Sequence, residues 1–324
     1  MIYPDADGSF PPPAGTSSRC RRRDGAASQE PTMAPLIWER RPEALRAPAL
    51  VCAFKGWNDA ADAASAAAAF VAASLDAERF ARIDPDDFYD FQATRPHVKL
   101  SEGRAREIQW PDVCIFEARV PRAPRDLLIL TGAEPSMRWR SFCQLVVDLS
   151  EALGVQLVVT LGALLADIPH SRPTAITGLA SDDALIERLD LQGSNYEGPT
   201  GIVGVLHAAC ADAGIPSASL WAAVPHYIAA APNPKAALAL VRKLEGLVGV
   251  SVDGSELEAA AADYERQVNL AVQSDDDVRA FVERLERAAD EERPQERPDV
   301  PTGAGDVIAR EFQRFLRQRG SDAS

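Results

Sequence analysis

Short unbroken apolar runs alternate along this chain with longer segments whose apolar positions recur every three or four residues. Pro48–Phe54, Leu127–Leu130, Leu157–Leu161 and Leu220–Val224 form the first kind, as strands do when both faces of a sheet are covered. Helical spacing predicts helices over residues 60–75, 138–153, 202–213 and 234–247. The order predicts an α/β core, a parallel-rich sheet with helices on both faces. Two runs sit in the same local pattern. Gly154-Val155-Gln156 leads into Leu157–Leu161 and closes on Pro169-His170, and Gly214-Ile215-Pro216 leads into Leu220–Val224 and closes on Pro225-His226. Each reads as a helix ending at glycine, a buried strand, and a histidine beyond a proline. Ligand crevices in open α/β sheets lie outside the carboxyl ends of the strands, where both histidines would fall.

Residues 80–120 interrupt this rhythm. Asp84–Phe91, Val98–Leu100, Ile108–Pro111 and Val113–Ala118 read as short strands broken by Pro96, Gly103 and Pro111, an antiparallel flap beside the sheet. Pro173–Ala180 is a further strand, and Asp182-Asp183 cap a helix through Leu189. Beyond Gly254, Glu256–Val272 and Asp275–Asp290 predict a helical hairpin with an apolar stripe of Leu257, Tyr264, Val268, Val278, Phe281 and Leu285. The expected division is a segment over 1–32, an α/β core over 33–252, the hairpin over 253–290, and a proline-rich linker with a short terminal helix over 291–324. The first segment holds five prolines and the basic patch Arg21-Arg22-Arg23, without the apolar stretch of about 7–15 residues that an export signal needs. Disorder is the expectation there, with Met33 a candidate true start.

Charge narrows the classes. With a net charge of −14 and a pI near 4.8, the chain has no electrostatic footprint for nucleic acid or anionic lipid. No apolar run reaches the roughly 18 residues of a membrane span. The five cysteines show no CxxC spacing, which predicts reduced thiols and a cytoplasmic location.

Candidate chemistry gathers at the predicted strand ends. Gly56-Trp57-Asn58-Asp59 opens the alanine-rich helix, with Asn58 or Asp59 as its cap, and that smooth helix can lie against a sheet or another subunit. Glu134 follows the Leu127–Leu130 strand, near where Trp57 and His170 project, and a Glu–His pair there is a candidate acid–base site. His170 and His226 are candidates for an acid and a base, or for metal ligands, at one cleft, or for strand-end caps bonded to loop backbone. Tyr196-Glu197-Gly198-Pro199-Thr200-Gly201 opens another helix, whose N-terminus could hold an anion. It lacks lysine and the GxGxxG and GxxxxGK[ST] spacings, so no nucleotide or other cofactor is implied. His207 reads as an ordinary helix histidine and His97 as exposed. No nucleophile elbow, HExxH, zinc set or kinase signature is present, and no metal is implied.

From Leu50 to about Val250 these residues resemble the proteasome assembly chaperone family of the second-subunit type, in its actinobacterial branch. The resemblance is carried by Gly56–Ala60, by Leu130–Pro135 with Trp139-Arg140, by Pro169–Pro173, by Tyr196–Ile202, and by Trp221–Tyr227 with Pro232-Asn233-Pro234. It implies a three-layer α/β fold like that of nucleoside phosphorylases, homo-oligomers with a trimer the first expectation, no established enzyme activity, and proteasome core subunits as partners. Some relatives dock through a C-terminal hydrophobic–tyrosine–any tail, whereas this chain reads Arg319-Gly320-Ser321-Asp322-Ala323-Ser324. Two functions follow: a non-catalytic assembly or scaffold protein, or a small-molecule sensor, hydrolase or transferase using the cleft around Glu134, His170 and His226.

Overall fold

The computed structural model describes residues 35–101, 105–181, 198–228 and 231–292. The expectations for 1–32, for the helix after Asp182-Asp183 and for the segment from Arg293 lie outside them, as do Tyr196 and Glu197. In chain order the elements are β1 (Leu36–Trp38), β2 (Ala49–Lys55), α1 (Ala63–Ser74), β3 (Glu78–Ile83), β4 (His97–Ser101), β5 (Ala105–Gln109), β6 (Val113–Ala118) and β7 (Leu127–Ala133). There follow α2 (Trp139–Ala152), β8 (Leu157–Ala166), β9 (Ile176–Ala180), α3 (Ile202–Asp212), β10 (Ser217–Pro225), α4 (Pro234–Val248), α5 (Ser255–Gln273) and α6 (Asp276–Glu292).

Eight strands make one sheet in the order β1-β3-β6-β7-β2-β8-β10-β9. Its centre, β7-β2-β8-β10, is parallel, and both sides are completed by antiparallel strands. Alternation along β2 shows why its sequence is apolar throughout. Ala49, Val51 and Ala53 join the core cluster that includes α1 and α4 residues. The intervening Phe54 packs edge-on against Phe142 of α2 at 5.7 Å, so each face is covered by helices. Fully burying each large apolar side chain of this kind contributes about 1.5–3 kcal/mol.

The two echoed segments fold alike. Gly154 and Gly214 adopt φ of 68° and 72°, a left-handed conformation that glycine takes without a Cβ penalty. Val155 N–H then reaches the Ser150 carbonyl at 2.8 Å, and Ile215 N–H reaches that of Cys210 at 2.9 Å. This is the same six-to-one helix closure in both cases, and it feeds two strands that pair in parallel.

Two expectations are corrected. Asp84–Phe91 is a turn, because Asp84 accepts the Asp86 N–H at 3.1 Å and Pro85 starts a 3-10 helix over Pro85–Asp87; the strand precedes it, as β3. The flap is divided: β3 and β6 extend the main sheet through β7, and β4–β5 alone forms a separate ribbon. On α1, Ala63, Ala64, Ala67 and Ala68 are buried inside the chain against the sheet and α4, the sheet being one of the two neighbours expected for this helix.

Candidate functional site

Glu134 stands one residue past β7, and its N–H donates to the Lys55 carbonyl at 2.8 Å, joining the ends of β7 and β2. Its carboxylate accepts three hydrogen bonds. Trp57 N–H donates at 3.1 Å, Asn58 Nδ2 at 2.9 Å and Ile202 N–H at 3.2 Å. Ile202 is the first residue of α3, so the carboxylate occupies the positive end of that helix, the place an external anion would take. The packing is close on both sides. Gly56 turns at φ 148° with its α-carbon against Glu134, and a Cβ on Gly201 would lie 2.2 Å from Asn58 Nδ2.

Asp59 does for α1 what Glu134 does for α3. The chain passes through left-handed Ala61 and Asp62 before the helix proper begins, and the Asp59 side chain bridges that irregular turn. Its Oδ1 accepts Ala64 N–H at 2.7 Å and Ser65 N–H at 3.2 Å. The carboxyl is buried, and that burial raises its pKa against the opposing pull of these hydrogen bonds.

The two histidines meet across Tyr227, whose ring centroid lies 5.9 Å from each of theirs. The Tyr227 hydroxyl accepts the His170 N–H at 2.8 Å and lies 2.7 Å from His170 Nδ1. Its own proton can then go to Nδ1, which leaves Nε2–H to donate to Asn269 Oδ1 of α5 at 3.0 Å. Burial pushes the Tyr227 phenol up to about 12, which keeps that proton in place. Lys235 of α4 donates to the His170 carbonyl and pairs with Glu265 of α5 at 2.6 Å. Arg172 pairs with Asp290 of α6 at 2.6 Å, and Phe281 of α6 packs 5.6 Å from the His226 ring. The helical hairpin thus covers the histidine corner. His226 itself is half-exposed, with its Nδ1 2.6 Å from Asp167 Oδ1.

The structure therefore forms two clusters from the expected residues. Gly56, Trp57 and Glu134 lie together at the ends of β2 and β7, with Asp59 on the same loop. His170 and His226 lie together at the ends of β8 and β10. Gly198 is exposed on the loop before α3. Asn233 connects the clusters: its N–H donates to the Ala61 carbonyl at 2.9 Å, its Oδ1 caps α4 at Ala236, and its Nδ2 donates to Tyr264 of α5 at 3.1 Å. Sequence reading missed Tyr227, Asn233 and Asn269 as polar anchors. Asn233 carried a signal, since asparagine before proline marks a helix start; Asn269, on an amphipathic helix, carried none. Among the described residues no group of three or more His, Cys, Asp or Glu is placed to hold a metal ion, and no helix is long and apolar enough to cross a membrane.

A mostly parallel sheet between helix layers, with its strand-end loops tied by carboxylates, defines an α/β protein whose polar rim is bonded into the fold. The PAC2 family model matches residues 53–272, and the chain belongs to the PAC2 family. It is similar to a PAC2 family protein from Streptomyces avermitilis, at 48% identity and TM-score 0.68, covering 72% of this chain and 99% of the other. A proteasome-assembly chaperone homologue from Mycobacterium tuberculosis is 44% identical with TM-score 0.67, over 72% of this chain and 99% of its own. A second Mycobacterium tuberculosis protein, of unknown function, is 28% identical with TM-score 0.73, over 84% and 92% respectively. No curated protein matches.

Proposed function

We propose that the chain is a non-catalytic assembly or scaffold protein of the proteasome-assembly-chaperone kind, acting through the surfaces of a homo-oligomer on proteasome core subunits. One observation carries the reading: at the rim where a substrate would bind, the N-termini of α1 and α3 are already filled by the chain's own Asp59 and Glu134. Charge-assisted bonds of this kind hold loops in place, and a carboxylate accepting three donors is poorly placed to take a proton from a substrate. Likeness to the chaperone homologue over 99% of its length supports the choice of partner.

Capture of proteasome α subunits by the immobilised full chain tests this. Retention at moderate salt is the expected result, and loss of all α subunits under those conditions would overturn it. A thermal-shift screen against nucleosides, nucleotides, amino acids and divalent metals tests the enzyme alternative. A ligand at 100 times its Kd stabilises by about 2.7 kcal/mol, so a reproducible upward shift would favour a small-molecule function.

A further inference from the structure

The β4–β5 ribbon and its exit hold many of the large hydrophobic side chains exposed among the described residues. Among the described residues seven large hydrophobic side chains are exposed. Four of them, Val98 (61%), Leu100 (66%), Ile108 (53%) and Trp110 (48%), lie on the ribbon and its exit. Val98 and Ile108 are cross-strand partners, and Leu100 faces Arg106, so the aliphatic three share one face of the ribbon. Clustered exposure of this kind marks an interaction surface.

A groove of about 830 Å³ separates the ribbon from the end of β3. One wall consists of the consecutive residues 107–110. Successive side chains on a strand point to opposite faces, so a wall of consecutive residues is the edge of β5. That strand pairs with β4 on one side, which leaves its other backbone edge toward the groove among the described residues. The lining is also richer in acidic than in basic groups. Asp84, Asp86, Glu107 and Asp112 line the groove with Arg79 and Arg82, and Arg79 is committed to Glu39 at 3.0 Å.

We propose that the groove receives an extended segment of a partner protein in which apolar residues alternate with lysine or arginine, added as a strand along β5. Main-chain bonds to the open edge would supply affinity, and alternate side chains the selectivity. The apolar set would cover Ile108 and Trp110, which share a face. The cationic set would meet Glu107 on the other face and Asp86 across the groove. The surface is defined by its own chemistry and does not depend on the partner being a proteasome subunit.

A labelled peptide alternating valine and lysine, titrated with the full chain and followed by fluorescence anisotropy, provides the test. Binding is expected, with a peptide alternating valine and glutamate binding at least about tenfold more weakly and with affinity falling as salt rises. Asp86→Lys together with Glu107→Lys should weaken the lysine peptide by about tenfold or more. Both positions are exposed, so the melting temperature should hold. Trp110→Ala supplies a second variant that keeps the charge. Equal binding of both peptides, no binding of either, or binding indifferent to all these substitutions would overturn the proposal. So would a wild-type oligomer that the charge reversals dissociate in sedimentation, because the groove would then belong to a second copy. The peptide titration decides the matter whatever α-subunit capture shows, so the two readings fail separately.

Discussion

The corners at His170 and His226 carry the same proline-histidine pair and end differently. In β10 the proline belongs to the strand, Pro225 pairing with Ala166 of β8. His226 therefore leaves at once, and its ring Nδ1 lies beside the carboxylate of Asp167, the residue that follows Ala166. In β8 the strand stops at Ala166, and Asp167-Ile168-Pro169 carries the chain further before His170. That extra reach places His170 under the hairpin, 4% exposed, with both ring nitrogens bonded. A shared dipeptide thus specifies a corner, and the number of residues between strand end and histidine decides whether the histidine anchors the fold or faces water.

The largest effect among tests of this contrast should come from Glu134, the reference for a fully bonded rim group. Glu134→Ala leaves Trp57 N–H, Asn58 Nδ2 and Ile202 N–H without their acceptor. The expected loss is about 2–4 kcal/mol in denaturant unfolding, and a loss below that of His226→Ala would show that the rim tolerates open donors. The corners themselves come next. His170→Ala should cost about 2–3 kcal/mol, since it removes the bonds to Tyr227 and Asn269 across the hairpin interface. His226→Ala should cost about 1 kcal/mol or less, as half-exposed polar contacts do. Equal costs would erase the distinction between an anchor and a surface group.

The smallest expected effect separates burial from bonding. His207 is a third histidine, on α3, whose Nδ1 is buried without a partner, and burial lowers its pKa. Below the ordinary histidine value near 6.5 the unfolded chain takes a proton that the folded chain resists, so stability falls as pH falls through that range. For this group the slope is at most about 1.4 kcal/mol per pH unit. Stability measured from pH 7.5 to 5.5 should fall more in the wild type than in His207→Gln. A variant with the wild-type slope would assign the acid sensitivity to another group.

Much of the fold was legible from short-range pattern. The unbroken apolar runs marked the parallel strands because a strand covered on both faces has no polar side. Gly154 and Gly214 marked the helix ends because few other residues take a positive φ so readily. The helix caps were half legible: the cap was expected at Asn58 or Asp59 and Asp59 provides it, although the irregular turn through Ala61 and Asp62 was not foreseen, since nothing in Ala60-Ala61-Asp62 demands left-handed backbone. Residues 84–91 misled because aromatic residues at Phe88, Tyr89 and Phe91 resemble a strand, while the Asp84-Pro85-Asp86 turn decides the local path.

What the sequence determined by itself was the inventory: which segments are helix or strand, which face is apolar, and the family motifs at the strand ends. Those follow from local backbone preference and the period of hydrophobic positions, which act over a few residues. Only the tertiary structure decided the partners. Glu134 meets Ile202 across 68 residues, His170 meets Asn269 across 99, and β3 and β6 join the sheet while β4–β5 stands apart. Such pairings depend on how strands are ordered and how far each extends before turning. The free energy that selects among them comes from burying whole faces of the sheet, which no single stretch of chain encodes.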